Sequence, residues 1–205
     1  MTPAISTLSK VGPVRLPRRS LSNLISALCI IGSVFLFGNS ICIFAKAQLA
    51  QVLLERAFIQ SIATGVPVKA WSWADTWPVA RIEISRIHAS AIVLQGGSGE
   101  ALAFGPALLN ETSRIGERGT AVIAAHRDTH FSFLKDAMVG DVISATRDDG
   151  VKFTYRVTGT SIVDWNKSGI DAHADGFNLV LSTCYPFDAI THGPRRYLVK
   201  AELVK

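Results

Sequence analysis

Hydrophobic and polar positions follow three successive regimes along the chain. From Ser20 to Ala45, in "SLSNLISALCIIGSVFLFGNSICIFA", no residue carries a charge. As a helix this run is roughly 39 Å long at about 1.5 Å per residue, enough to cross a hydrocarbon core of about 30 Å with some tilt. Its polar residues, among them Asn23, Ser33, Asn39 and Ser40, are small. The pattern predicts one membrane-spanning helix over 20–46. "AKAQ" at 45–48 also offers a small-residue cleavage site, but the apolar run is much longer than the h-region of a signal peptide, which favours a retained anchor. In the next stretch, 48–63, apolar residues recur at helical spacing (Leu49, Val52, Leu53, Ala57), which predicts a stalk extending the same helix. Gly65 and Pro67 then mark a linker, so 47–70 reads as stalk and linker.

From 71 to 205 the pattern changes to short strand-like runs, of which "VARIEI" alternates, punctuated by Gly, Asp and Asn clusters. "VARIEI" (79–84), "SAIVLQ" (90–95), "TAVIAA" (120–125), "DVISAT" (141–146), "KFTYRVTGTSIV" (152–163), "NLVLST" (178–183) and "RRYLVKAELV" (195–204) read as strands. "GGSG" after residue 95 and "DDG" at 148–150 read as turns, the second joining two strands as a hairpin. One short helix is predicted at 130–138, "HFSFLKDAM", with Asp128 or Thr129 as its cap. Many short strands with one or two short helices predict a mainly β domain closed into a barrel. Trp71, Trp73 and Trp77 are expected to pack the start of this domain against it.

Charge settles the topology that the span leaves open. The formal net charge is +5, and the five extra cations are Lys10, Arg15, Arg18, Arg19 and Lys46, all flanking the span. Residues 47–205 balance to zero. Four of the five cations precede the span, so 1–19 is predicted to be cytoplasmic and everything from about residue 47 to be exported. The basic balance is therefore a topology signal. A nucleic-acid partner would need a basic patch on the folded domain, and none is expected.

Cysteine usage narrows the chemistry. Cys29 and Cys42 lie within the span and read as inert apolar residues. Cys184 is then the single thiol of an exported domain. In an oxidising compartment structural cysteines come in pairs, so Cys184 is a passive buried thiol, an intermolecular link or a nucleophile. It ends an apolar strand, and Pro186 behind it stops ladder pairing, which places the thiol at a strand exit. A reactive thiol needs a base or cation close by. His126 ends another apolar strand in "TAVIAAHRD", whereas His88, His173 and His192 have no such setting. Arg195 and Arg196 open the last strand, and a guanidinium can hold a developing oxyanion. His126 and His130 in "HRDTH" would form half of a zinc site if they lay on a helix, but the Glu of H-E-x-x-H is missing.

"LSTC" at a strand end, "AHRDTHF" upstream and an arginine opening the final strand resemble the Cys–His–Arg set of the sortases, which are membrane-anchored transpeptidases built on an eight-stranded barrel. "WSWADTWPVARI" (71–82), "GEALAFGPALL" (99–109), "AHRDTHFSFL" (125–134) and "CYPFDA" (184–189) resemble the class GN sortases of Gram-negative bacteria, the marine proteobacterial type. This resemblance implies a catalytic domain over 71–205. It implies Cys184 as nucleophile, His126 as general acid and base, and Arg196 as the oxyanion residue, with Arg195 as the alternative arginine. Thr183, Arg195 and His130 would support or bind substrate. Ala125 stands where the family commonly has Gly, and Val180 where it often has Thr. The implied reaction cleaves a C-terminal LPxTG-like sorting signal of an exported protein through a Cys184 thioester and passes the acyl group to an amine. The implied enzyme faces the periplasm from the inner membrane and needs no cofactor. Calcium, used by some sortases, would have only Asp148, Asp149 and Glu117 as ligands here. Two other readings of the same residues stay open: a thiol peptidase that uses water, and a non-catalytic or zinc-binding scaffold.

Overall fold

The computed structural model describes residues 18–191 and 193–204. Lys10 and Arg15 of the basic N-terminus lie outside the described residues, as does His192. One helix, α1, runs continuously over Arg18–Thr64. From Ser22 onward it is long and apolar enough to cross a membrane. Between Leu24 and Phe44 its large apolar side chains are exposed, as suits a helix whose surroundings are hydrocarbon. Ala47–Lys205 forms a second compact unit.

Within that unit the last turns of α1 do more than extend a rod. Ala50, Leu54, Ala57, Phe58 and Ser61 are buried, a stripe with i, i+3, i+4 spacing. Leu54 and Phe58 pack with Ile92, Leu94, Ala101 and Ala107. Ser61 turns its hydroxyl to its own helix carbonyl at Ala57 and accepts from the Val68 amide at 2.9 Å, folding the linker back. The segment read as stalk and linker thus carries part of the domain's core.

Eight strands follow: β1 (Pro78–Ile84), β2 (Ala89–Gln95), β3 (Ala107–Leu108), β4 (Gly119–Ala124), β5 (Val142–Arg147), β6 (Lys152–Asp164), β7 (Phe177–Cys184) and β8 (Arg195–Leu203). They close into a barrel in the order β1-β2-β3-β4-β7-β8-β6-β5. The β2–β3 and β4–β7 pairs are parallel and the others antiparallel. Alternation explains the filling. Leu179 and Leu181 of β7, Ile123 of β4 and Val199 of β8 point inward and are fully buried. Val180, Val122 and Leu198 point the other way and form a separate apolar cluster on the outer face.

Two local expectations differ from the structure, and one short element was not anticipated. Residues 99–104 form a short helix, α2 (Gly99–Phe104), capped by the Ser98 hydroxyl, which accepts from the Ala101 amide at 3.0 Å. At six residues it is too short to display a helical period. The helix expected at 130–138 is instead a 3₁₀ turn over Ser132–Asp136 whose N-terminus has no side-chain cap. The tighter winding brings residues i and i+3 to one side, and that lets Phe131 and Leu134 both reach the core, each fully buried. Trp71 packs edge-on to Phe104 with ring centroids 4.7 Å apart, and Trp77 packs on the core. Trp73 stays 80% exposed, because only one side of this short segment meets the barrel.

Candidate active site

The parallel pair β4–β7 brings the two apolar strand ends together. Its register runs from Gly119↔Phe177 to Ala124↔Ser182. The Ala125 amide then donates to the Ser182 carbonyl at 3.1 Å. Thr183 donates its hydroxyl to the Ala125 carbonyl at 2.8 Å. Ala125 is thus fastened on both sides to β7, and the next residues in each chain are His126 and Cys184. On the other flank, Cys184 is the direct register partner of Arg196 in β8. Alternation assigns the faces. Cys184 follows Val180 and Ser182, Arg196 precedes Leu198, and His126 follows Val122 and Ala124, so all three belong to the outer-face series. Neighbouring strands lie about 4.8 Å apart; Cys184 and Arg196 are paired neighbours, and His126 follows two residues after Ala124, the register partner of Ser182.

Below this row the outer face is apolar. Val122, Val180 and Leu198 form its floor, with Leu109, Val163 and Ile170 packed around them. A cleft opens there, walled by Gly97, Ser98 and 109–112 on one side and by Ser168, Ile170 and Ala172 on the other.

The individual groups are set differently. Cys184 is half-buried and unpaired. His126 is exposed, and its carbonyl accepts from the Phe131 amide at 3.0 Å, closing the turn that follows β4. Arg196 is half-buried, and its Nη1 donates to the carbonyls of Gly193 and Arg195 at 3.0 and 2.9 Å. That anchors the guanidinium while further N–H donors of the group remain on its other nitrogens. Arg195 is exposed and lies over the Tyr185 ring, with Cζ 5.4 Å from the centroid. Its carbonyl accepts from the Tyr185 amide at 3.0 Å. Thr183 is 2% exposed; it faces the interior and holds backbone. His130 is half-buried beside His126 and the Ala103 carbonyl. Burial pushes its imidazole below the usual histidine range, and His126 adds to this, against the opposing hydrogen bond to Ala103.

The structure also bears on the metal readings. His126 and His130 lie in a turn rather than on a helix, so the i, i+4 zinc geometry does not form. Among the described residues no three His, Cys, Asp or Glu side chains converge. Asp148 pairs with Arg114 at 3.1 Å, Asp149 pairs with Arg147, and Glu117 lies 3.8 and 4.0 Å from Arg114 and Arg147.

Arg127 went unsingled in the sequence, since an arginine beside a histidine in a loop reads as a solvated cation. It is only 8% exposed. Its Nη2 donates to the carbonyls of Ala189 and Thr191 in the β7–β8 loop, the second at 2.9 Å. Only the fold could show this, because the acceptors are main-chain atoms more than sixty residues away.

Comparison with known proteins agrees with this architecture. The family model for the Sortase domain matches residues 82–204. Sortase D of Bacillus subtilis (strain 168) is 30% identical over 124 residues, which is 60% of this chain and 62% of that protein. The chain therefore spans less than two thirds of that relative's length. Among solved structures, sortase A from Corynebacterium diphtheriae superposes with a TM-score of 0.59 at 25% identity, covering 65% of this chain and 63% of that one. Sortase C-1 from Actinomyces oris gives 0.56 at 27% identity, covering 62% and 75%. The sortase D5 transpeptidase of Clostridium perfringens gives 0.55 at 25% identity, covering 62% and 79%. With the family model matching more than half of its residues and the same barrel around its strands, the chain belongs to the sortase family.

Proposed function

We propose that this chain is a membrane-anchored cysteine transpeptidase, a thiol peptidase-type enzyme of class GN. It would cleave a C-terminal LPxTG-like sorting signal and transfer the acyl part to an amine. The observation that supports this most is the meeting of Cys184, its register partner Arg196 and the His126 segment at one end of an apolar outer-face floor. In this reading the Cys184 thiolate attacks the carbonyl of a Thr–Gly-type bond. Arg196 stabilises the tetrahedral oxyanion. His126 gives its proton to the departing amine, leaving a thioester on Cys184. In the second half His126 takes a proton from the incoming amine, which attacks the thioester and frees the Cys184 thiolate. Thr183 fixes the backbone before His126. Arg195 and His130 border the site. The apolar span of α1 would anchor the enzyme in the inner membrane, with the four basic residues that precede the span in the cytoplasm and the barrel in the periplasm.

The test uses the full chain in detergent micelles with a pool of peptides carrying Leu-Pro-X-Thr-Gly. Intact mass is expected to show an acyl adduct on wild type, absent in Cys184→Ala and strongly reduced in His126→Ala, and released faster by triglycine than by water. Release by water alone at the same rate would assign a hydrolase. No adduct together with a Cys184 thiol inert to iodoacetamide would overturn the catalytic reading.

A further inference from the structure

Arg127 is a charged side chain that the reaction as described does not use. It is more than nine-tenths buried, and its hydrogen-bond acceptors are two main-chain carbonyls, with no carboxylate of the described residues in ion-pair reach. Desolvating a guanidinium without a counter-charge is costly, and an apolar side chain of similar volume would pack there at less expense. Stability alone therefore does not account for an arginine at this position. What the guanidinium does is geometric. One nitrogen, Nη2, donates to both Ala189 and Thr191, carbonyls two residues apart on the same loop, while Nη1 is buried with no hydrogen-bond partner among the described residues; the planar guanidinium fixes the direction of both N–H bonds, whereas the donors of a lysine ammonium rotate.

The place of that loop gives the contact its meaning. It leaves the barrel at Cys184 and returns at Arg195 and Arg196. Its base is held by the Tyr185 amide on the Arg195 carbonyl, by stacking of Tyr185 on Tyr197 and by edge-on contacts of Phe187 with both rings. Its far part is held by Arg127. Between the two held carbonyls Ile190 is fully exposed, so the loop gains no hold from its own side chain there. His126 is bracketed in the same way. The residue before it is fastened to β7 through Ser182 and Thr183, and the residue after it is fastened to the β7–β8 loop.

Resting on the catalytic reading above, we propose that Arg127 is a positioning residue for acyl transfer: it locks the β7–β8 loop to the turn that carries His126, so the imidazole and the loop that borders Cys184 and Arg196 keep one fixed relation. Displacing a reacting group by about 1 Å can cost on the order of a hundredfold in rate.

The experiment compares wild type, Arg127→Ala and Arg127→Lys as full chains in micelles. Three quantities are read: deuterium uptake of peptides covering 186–194, the rate of Cys184 acylation by the Leu-Pro-X-Thr-Gly pool, and the melting temperature. Arg127→Ala is expected to raise uptake in 186–194 while β1, β2, β5 and β6 stay protected, and to slow acylation about 10- to 100-fold. Arg127→Lys keeps the charge and is expected to recover less than half of that loss on a logarithmic scale. Guanidinium chloride at tens of millimolar is expected to restore part of the Arg127→Ala rate and to leave wild type unchanged. Unchanged uptake with a wild-type acylation rate in both variants would overturn the proposal. So would a loss that follows the melting temperature and ignores added guanidinium, which is a merely structural role. If wild type itself forms no adduct, the catalytic reading has failed and the proposal falls with it; a wild-type adduct with indifferent variants defeats the proposal alone.

Discussion

Removing the last turns of α1 should cripple the barrel even though no strand is touched. Consider two chains, one starting at Ala47 and one starting at Gly65. The shorter one lacks Leu54 and Phe58, each 1% exposed. Burying a side chain of this size stabilises by about 1.5–3 kcal/mol. Phe58 also lies under the Arg81 guanidinium, 5.1 Å from its ring, and Glu55 pairs with that arginine. The first contact adds about 0.5–1 kcal/mol. The partly exposed ion pair adds about 0–1 kcal/mol. Ordering the helix offsets part of this, so the net loss is about 3–6 kcal/mol against a typical domain stability of about 5–15 kcal/mol. At about 2–4 °C per kcal/mol for a domain near this size, the melting temperature should fall by roughly 10–20 °C. Phe58→Ala in the longer chain isolates the largest piece and should cost about 3–5 kcal/mol. Thermal unfolding followed by circular dichroism, with urea titration as a check, measures both. Melting temperatures equal within about 2 °C for the two chains would refute the reasoning, and α1 would then end its structural part at the start of the domain.

Other outcomes follow from single contacts. Thr183→Val keeps shape but leaves the buried Ala125 carbonyl without its donor, so urea unfolding should show a loss of about 1–3 kcal/mol, and peptide acylation should slow while Cys184 still alkylates. Asp141, buried against Arg86 and the Met138 amide, has its carboxyl held below the usual range, first by the Arg86 hydrogen bond. A depressed carboxyl stabilises the fold above its unfolded pKa and loses that effect as pH falls through the folded one. Asp141→Asn should therefore be less stable than wild type by about 1–3 kcal/mol at pH 7, with the gap closing below about pH 4 in urea titrations. His130 acts with the same sign at higher pH: its imidazole is pushed down by burial, so stability is full above the ordinary histidine range and is lost as pH falls through it. An NMR titration should place its midpoint below that of a solvent-exposed histidine, and a midpoint at or above it would contradict the buried setting. Gly119 opens β4 at φ +111, and a Cβ there would lie 2.6 Å from the Ala172 carbonyl oxygen; Gly119→Ala should cost more than about 2 kcal/mol by urea titration.

Local periodicity made much of this protein legible. Twenty-six uncharged residues define the apolar helix, and short apolar or alternating runs bounded by turn residues locate β1, β2 and β4–β8 to within a residue or two, because each pattern reflects a surface that must leave water. Cys184 and His126 stood out as a strand-end thiol and a strand-end imidazole, whereas Arg195 and Arg196 open the last strand together and only the resemblance to sortases favoured Arg196. Tertiary structure alone decided the rest. β3 spans two residues and α2 spans six, too short for any period to show. Whether 48–63 faced lipid, water or protein could not be read from a helix, since an amphipathic stripe does not name its partner; Ile92 and Leu94 do. The Cys184↔Arg196 register depends on how two strands slide past each other, a sum over many inward contacts such as Leu179, Leu181 and Val199. Arg127, which carries no local signal in the sequence, is buried against the β7–β8 loop. Its acceptors are main-chain carbonyls, which every residue possesses and which only the path of the chain brings within reach.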